Sequence, residues 1–152
     1  MKENKKIDSL VKTALEYKNQ AQFEKSNKIL EKILEDFPDY LKANGIMVVV
    51  AGNYYKLNKY SKTLNYCEKI LSKNPKIELA SLMRYLSYVN LDDPKKAFKA
   101  LFEYLEKYPA DLFKDTLEEL LEGLLEGYGT TYKDKIVYYA EMNNVPVPER
   151  LR

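Results

Sequence analysis

The chain has 152 residues, of which 45% are hydrophobic and 32% charged, and its formal net charge at pH 7 is +2. This length and apolar content predict one folded domain, and the nearly balanced charge argues against a dedicated nucleic-acid-binding protein. Histidine is absent, which removes the commonest general base and metal ligand, and Cys67 is the lone cysteine, so no internal disulfide forms. We therefore predict no catalytic residue, no metal site and no cofactor.

The first six residues are polar and charged, and no apolar stretch of the kind found in a signal peptide follows them. No apolar run approaches the length that is needed to cross a membrane. A single cysteine is typical of a reducing compartment. These features predict a cytoplasmic protein that does not bind membranes.

Prolines and turn residues divide the chain into four predicted pairs of helices. The predicted helices span residues 7–19, 23–37, 40–57, 60–73, 76–90, 94–108, 111–126 and 131–143. Asp93 is a suitable N-cap, and Pro94 suits the first position of the helix that follows it. The tail, residues 145–152, contains two prolines and has no helical pattern.

Residues 45–52 form an apolar stretch around which the rest of the chain is organised. The β-branched run of Val48, Val49 and Val50 is typical of a buried strand, and Asn44-Gly45 resembles a hairpin turn. Residues 39–57 are not interrupted by proline, however, and a helix that is covered on every side is apolar all round. We therefore predict that this stretch is the central helix of an all-α array.

Landmark residues recur along the chain in a fixed phase. They are the tyrosines Tyr17, Tyr54 and Tyr88, the prolines Pro38, Pro75 and Pro109, and the small residues Ala14, Ser26, Ala51, Thr63 and Ala97. With this recurrence the chain resembles the tetratricopeptide-repeat (TPR) family, whose unit is a 34-residue helix–turn–helix. In that family the small residues let the two helices of a unit approach closely, and neighbouring units stack because none can bury its apolar face alone.

The resemblance implies an all-α, right-handed superhelical array of antiparallel helix pairs, with about three TPR-like units and a degenerate capping pair. The units are expected at about residues 7–40, 41–77, 78–111 and 112–144, all within a single domain, residues 1–152. The third unit departs from the family pattern at Ser81, Arg84 and Tyr85, and the fourth has Lys133 where a small residue belongs. Three extra residues follow Pro38.

The resemblance also implies a concave face that is lined by the first helix of each pair. The expected groove residues are Val11, Leu15, Val48, Val49, Tyr55, Leu79, Leu82, Met83, Leu86, Glu118 and Glu122. The groove is thus apolar in the middle and acidic at its C-terminal end, which favours a protein or peptide partner with basic and apolar residues. The alternatives are a lining that is simply core, and a self-associating scaffold that forms a homodimer through the same surface. An enzyme is a more distant third.

Other chemically reactive residues have simpler explanations. Cys67 falls at a core-facing position of its helix, which indicates an inert thiol. Asp92 and Asp93 cap a helix, and adjacent helical residues such as Glu118 and Glu119 point about 100° apart, so they do not readily share a metal.

Residues 56–76 combine six lysines with tyrosines, a pattern that can hold single-stranded nucleic acid. We favour a solvated outer face, because Tyr54 matches a scaffold position of the repeat. The side chains with which some TPR proteins grip the carboxylate tail of chaperones are also missing. The matching positions here are Val11, Leu15, Val49, Leu79 and Met83.

The tail is the last candidate. Val145-Pro146-Val147-Pro148 favours an extended polyproline conformation, and Arg150 and Arg152 carry positive charge. Its chemistry complements the acidic and apolar groove, so one hypothesis is that it docks there. The alternative is a frayed terminus.

Overall fold

The structure, a computed structural model, describes residues 2–152 and contains eight α-helices, two short 3₁₀ turns and, over these residues, no strand. The helices are α1 (Lys2–Asn19), α2 (Phe23–Asp36), α3 (Ala43–Lys56), α4 (Tyr60–Lys73), α5 (Glu78–Asn90), α6 (Pro94–Lys107), α7 (Phe113–Leu125) and α8 (Lys133–Met142). The 3₁₀ turns are Thr130–Tyr132 and Glu149–Leu151. All eight predicted helices are present, which confirms the all-α class.

The first helix of each pair ends in the same way. A residue with positive φ follows the helix, and the next backbone N–H donates to the carbonyl five residues earlier, which is a Schellman motif. In the first three pairs that carbonyl belongs to the landmark tyrosines: Gln22 donates to Tyr17, Lys59 to Tyr54 and Asp93 to Tyr88, at 2.8–2.9 Å. The repeated tyrosines therefore mark a repeated turn of the backbone as well as a packing position.

Helix α3 is the central helix that the apolar stretch predicts, and the strand interpretation of Val48–Val50 is wrong. The helix packs against α2, α4 and α5. Val50 and Ala51 are completely buried, whereas Val48 and Val49 are half-buried and Gly45 is exposed. The helix is therefore covered on most of its circumference, and one side remains open.

Helix α3 begins three residues later than predicted, at Ala43 instead of residue 40. The backbone N–H of Ala43 donates to the carbonyl of Tyr40 at 2.9 Å, which closes a turn before the helix starts. The Tyr40 hydroxyl donates to Asp8 on α1 at 2.6 Å. The extra residues after Pro38 thus form a loop that is tied to the first pair, and they do not extend the helix.

The core runs along the array in three overlapping clusters. One joins α1, α2 and α3, a second joins α3, α4 and α5, and the third extends from α5 to the tail. The small residues of the repeat pattern are all buried between helices, namely Ala14, Ser26, Ala51, Thr63 and Ala97. Burial of these side chains agrees with the close helix approach expected of the repeat.

The tail is ordered against the last helix pair, so a frayed terminus is the wrong interpretation. Val145, Val147 and Leu151 are buried in the C-terminal cluster. Arg150 donates to the carbonyl of Leu125 on α7, and Arg152 lies 3.9 Å from the Glu141 carboxylate on α8. These contacts place the tail against α7 and α8.

Over residues 2–152, no helix combines the length and the apolar character that crossing a membrane requires.

Candidate functional site

A cleft of about 570 Å³ lies between the first helices of the first two pairs, α1 and α3. Its floor includes the buried side chains of Leu30 and Ile46, and its walls carry the half-buried Val11, Leu15 and Val49. This volume is within the range of about 300–1,000 Å³ that is common for ligand clefts. Val11, Leu15 and Val49 are residues that the repeat register assigns to the concave face, and the structure brings these three together.

The rim of this cleft is polar and carries both signs of charge, from Asp8, Lys12, Glu16 and Lys42. One carboxylate oxygen of Asp8 accepts the Tyr40 hydroxyl and lies 3.8 Å from the Lys42 ammonium. The hydrogen bond to Asp8, then burial and the Asp8 charge, raise the pKa of Tyr40. Asp8 thereby holds the loop that precedes α3 against α1, and this contact forms one edge of the cleft.

Tyr40 and Lys42 line the cleft although they are not among the residues that the sequence pattern predicts for the site. Both lie in the loop between α2 and α3, near the three extra residues that separate the first two units, and the concave-face positions of the repeat do not include them. The extra residues themselves were the signal that could have found them. An insertion between two packed helices must form a loop at the edge of their interface.

Gly45 leaves the cleft open on the α3 side. A Cβ atom placed on Gly45 would meet no heavy atom within 4 Å, and the glycine has no positive φ. A larger residue would therefore project into the cleft without a clash in the core. This makes Gly45 a position at which the cleft can be filled while the fold is kept.

The other predicted groove residues divide by exposure. Val48 and Tyr55 on α3 are half-buried, and Leu79 at the start of α5 is 42% exposed. Leu82 and Leu86 are half-buried and pack against the C-terminal core cluster, so they serve the core as well as the surface. Glu118 and Glu122 on α7 are exposed.

Met83 is a core residue, which corrects its assignment to the groove. Its side chain is 6% exposed and packs with Met47, Ala51 and Cys67. The Met83 sulfur lies 4.0 Å from the position that a Cβ atom on Gly52 would occupy. The long methionine side chain thus fills the space that the glycine leaves on α3, and little of it reaches the surface.

Cys67 is buried and free, as predicted. Burial raises the pKa of its thiol to about 12, because desolvation outweighs the opposing charge of Arg84. The thiolate is the reactive form of cysteine, so this thiol is inert at neutral pH.

The lysine- and tyrosine-rich segment forms an outer-face cluster that includes Glu31 of α2. The Glu31 carboxylate accepts the hydroxyls of Tyr54 and Tyr66, and the ammonium groups of Lys62 and Lys69 lie 5.2 and 5.1 Å above the two rings. Burial first, and the bond to Glu31 second, raise the pKa of Tyr54 to about 12 and that of Tyr66 further. These rings are engaged within the protein, which favours the scaffold interpretation over a stacking platform for nucleic acid.

Comparison with known proteins supports the repeat assignment. Residues 8–40 match the family described as Tetratricopeptide repeat. No curated protein matches the chain. The matched segment covers α1, α2 and the loop that reaches Tyr40, and three further helix pairs follow it. The family match supports the tetratricopeptide-repeat assignment over residues 8–40, and the recurring tyrosine turns and stacked helix pairs of the rest of the described chain are consistent with it.

Proposed function

We propose that this protein is a non-catalytic binding module that holds an extended peptide segment of a partner protein on its concave face. Tetratricopeptide repeats generally mediate protein–protein interaction. The observation that carries the proposal for this chain is the cleft between α1 and α3, in which an apolar floor is surrounded by a rim of polar groups. Clefts of that character are typical of binding sites.

The occupant that fits this cleft is an apolar side chain of the partner, flanked by polar residues. Val11, Leu15 and Val49 offer apolar surface, and a side chain that covers them would gain about 25 cal/mol for each Å² removed from water. Asp8, Lys12, Glu16 and Lys42 are accessible to polar groups beside that anchor. Further along the array, the exposed Glu118 and Glu122 favour basic residues in the same partner.

The decisive experiment fills the cleft at Gly45. Short random peptides displayed on phage are selected against the wild-type protein, and the enriched peptides are then tested against Gly45→Leu. We expect affinity to fall by tenfold or more, because the leucine side chain occupies the space of the anchor. Gly45→Ala is the control, since one methyl group in open space should leave most of the binding intact.

Two outcomes would contradict the proposal. In one, no peptide is enriched above background. In the other, the enriched peptides bind Gly45→Leu as tightly as the wild type. Sedimentation of the free protein at rising concentration tests the self-associating alternative, because a wild-type dimer that Gly45→Leu dissociates would assign the cleft to a second copy of the chain.

A further inference from the structure

A second cleft, of about 440 Å³, separates the third helix pair from the fourth. Buried side chains of α5, α6 and α8 form its floor: Tyr85, Ala97, Phe98 and Ile136. Its outer wall is the turn that joins α7 to the 3₁₀ turn at Thr130–Tyr132. It is distinct from the α1–α3 cleft, with which it shares no lining residue.

Aromatic contacts and two glycines hold the outer wall in place. The rings of Phe98 and Tyr132 are stacked with their centroids 3.9 Å apart. Gly129 has φ 70°, and a Cβ atom placed on it would lie 4.0 Å from the Phe98 ring. The Tyr128 backbone N–H donates to the carbonyl of Gly123 at 2.8 Å. Tyr128 is consequently fixed at the mouth of the cleft with 70% of its side chain exposed, which leaves one ring available to a ligand.

The charged side chains that line this cleft have one sign. Asp92 and Glu119 are the ionisable carboxylates among its lining residues, and no lysine or arginine lines it. Over residues 2–152, neither carboxylate takes part in an ion pair. Burial first, and the nearby Glu119 charge second, raise the pKa of Tyr85 to about 12. Glu119 therefore acts electrostatically on the floor as well as on the rim.

We propose that this cleft receives an arginine side chain from a partner protein. An apolar floor with an acidic rim matches a side chain that has an apolar stem and a cationic head. The stem would lie on Phe98, and the guanidinium would stay at the rim near Asp92 and Glu119. A charge held at the rim remains partly hydrated, so it avoids most of the desolvation penalty of a buried ion pair.

Arginine fits this site better than lysine. Its guanidinium is planar, stacks on aromatic rings and donates to carboxylates along two parallel directions, whereas the ammonium of lysine is a compact and strongly hydrated point charge. Tyr128 provides the exposed ring, and Asp92 and Glu119 provide the acceptors. The cleft would thus select a basic residue whether or not the α1–α3 cleft binds an apolar one.

The test is an NMR titration of the full chain with N-acetyl-arginine N-methylamide, beside the corresponding citrulline and lysine compounds. We expect the arginine compound to shift the amide signals of Tyr128, Gly129 and Thr130 with weak, saturable affinity. Citrulline keeps the shape of arginine without its charge and should bind at least tenfold more weakly. The combined Asp92→Asn and Glu119→Gln variant should lower the arginine affinity to a similar extent.

Glu35→Gln is the matched control, because Glu35 is exposed on α2 and its replacement removes the same kind of charge far along the chain. It should leave the titration unchanged. Tyr128→Ala should weaken the binding of the arginine compound more than that of the lysine compound, because only the guanidinium stacks well on an aromatic ring. Equal binding of arginine and citrulline, equal binding of arginine and lysine, or shifts spread over the whole acidic surface would each overturn the proposal. None of these outcomes depends on peptide binding at the α1–α3 cleft.

Discussion

The helices within the first three pairs and those at the boundary between the third and fourth pairs pack by different physical means. Within the first three pairs, small buried residues such as Ala14, Ala51 and Ala97 allow the two helices of a pair to pack directly on one another. Between the third and fourth pairs, large rings fill the interface instead. Phe113 contacts Tyr85 and Tyr104 with centroids 6.3 and 5.4 Å apart, and other rings of α6 stack on Tyr132 and Tyr139.

Hydrogen bonds from side chains to the backbone also connect the third and fourth pairs. The Glu78 carboxylate, at the start of α5, accepts the backbone N–H groups of Asp111, Leu112 and Phe113 at 2.8, 2.8 and 3.2 Å. Asn143, at the end of α8, accepts the N–H of Ala110 at 2.8 Å. The four consecutive N–H groups of residues 110–113, before and at the start of α7, thus have acceptors outside α7, which has no side-chain N-cap of its own.

Each of the two clefts lies at a boundary between neighbouring pairs. The α1–α3 cleft lies between the first and second pairs, where Val11, Leu15 and Val49 leave apolar surface open. The second cleft lies between the third and fourth pairs, beside the stacked rings of Phe98 and Tyr132. The boundary that is filled by rings is therefore the one at which the repeat pattern is least regular.

The largest effect is expected from a charge in the central helix. Val50 is completely buried, so Val50→Asp should place an unpaired carboxylate in the core and lower the free energy of unfolding by about 3–5 kcal/mol. Leu117→Asp, at an equally buried site on α7, should unfold the last pair and leave α1 to α4 helical. Urea unfolding followed by circular dichroism measures the stability of both variants. Leu41→Asp is the control, because Leu41 is 94% exposed. If the two core variants unfolded identically, the two regions would not differ in the way described.

The second prediction concerns the tail. Deleting residues 145–152 removes Val145, Val147 and Leu151 from the C-terminal cluster, and we expect a loss of about 2–4 kcal/mol from the exposed apolar surface and the cavity that remains. Amide NMR shifts should change in α7 and α8. Changes centred on α1 or α3 would contradict the position of the tail against α7 and α8. Arg152→Ala is a milder control, because its contact with Glu141 is solvent-exposed.

Most of the fold was accessible from the sequence because the repeat uses local signals. The tyrosine turns, the prolines and the small residues all act within one unit, and each predicts structure near its own position. The helical state of Val48–Val50 required more, since the local β-branched pattern favours a strand. The surrounding helices decide the outcome by covering three sides of α3.

What the sequence did not reveal are contacts between units that follow no repeated pattern. Glu78 contacts backbone groups 33 to 35 residues away, and Glu31 joins tyrosines 23 and 35 residues away. Each depends on two helices whose relative position is known only after the array is assembled. The same reason applies to the candidate site: the repeat register identified Val11 and Val49, but not Tyr40, which lies in the loop between α2 and α3.

The third prediction removes charge from the connection between the last two pairs. Glu78→Gln keeps the shape of the side chain but weakens three hydrogen bonds to backbone donors, so we expect a loss of about 1–3 kcal/mol. Hydrogen exchange of the Asp111, Leu112 and Phe113 amides should accelerate more than exchange in α3. Glu106→Gln, an exposed carboxylate on α6, is the control. Unchanged protection of these amides would show that the rings alone hold the last pair.

The smallest effect is expected at the first tyrosine turn, and it is a gain in stability. Ala21 has φ 58°, a left-handed conformation that costs an alanine about 1–2 kcal/mol, whereas glycine adopts it freely. Replacement with glycine also increases the freedom of the unfolded chain, so Ala21→Gly should raise the free energy of unfolding by only about 0.5–1 kcal/mol.

Asn58 occupies the equivalent turn of the second pair at φ 59°, and asparagine tolerates this conformation. Asn58→Gly should therefore change stability by a few tenths of a kcal/mol at most. Urea unfolding of the two variants side by side measures the difference, and a gain at Asn58 equal to that at Ala21 would show that strain in the left-handed alanine is not its source.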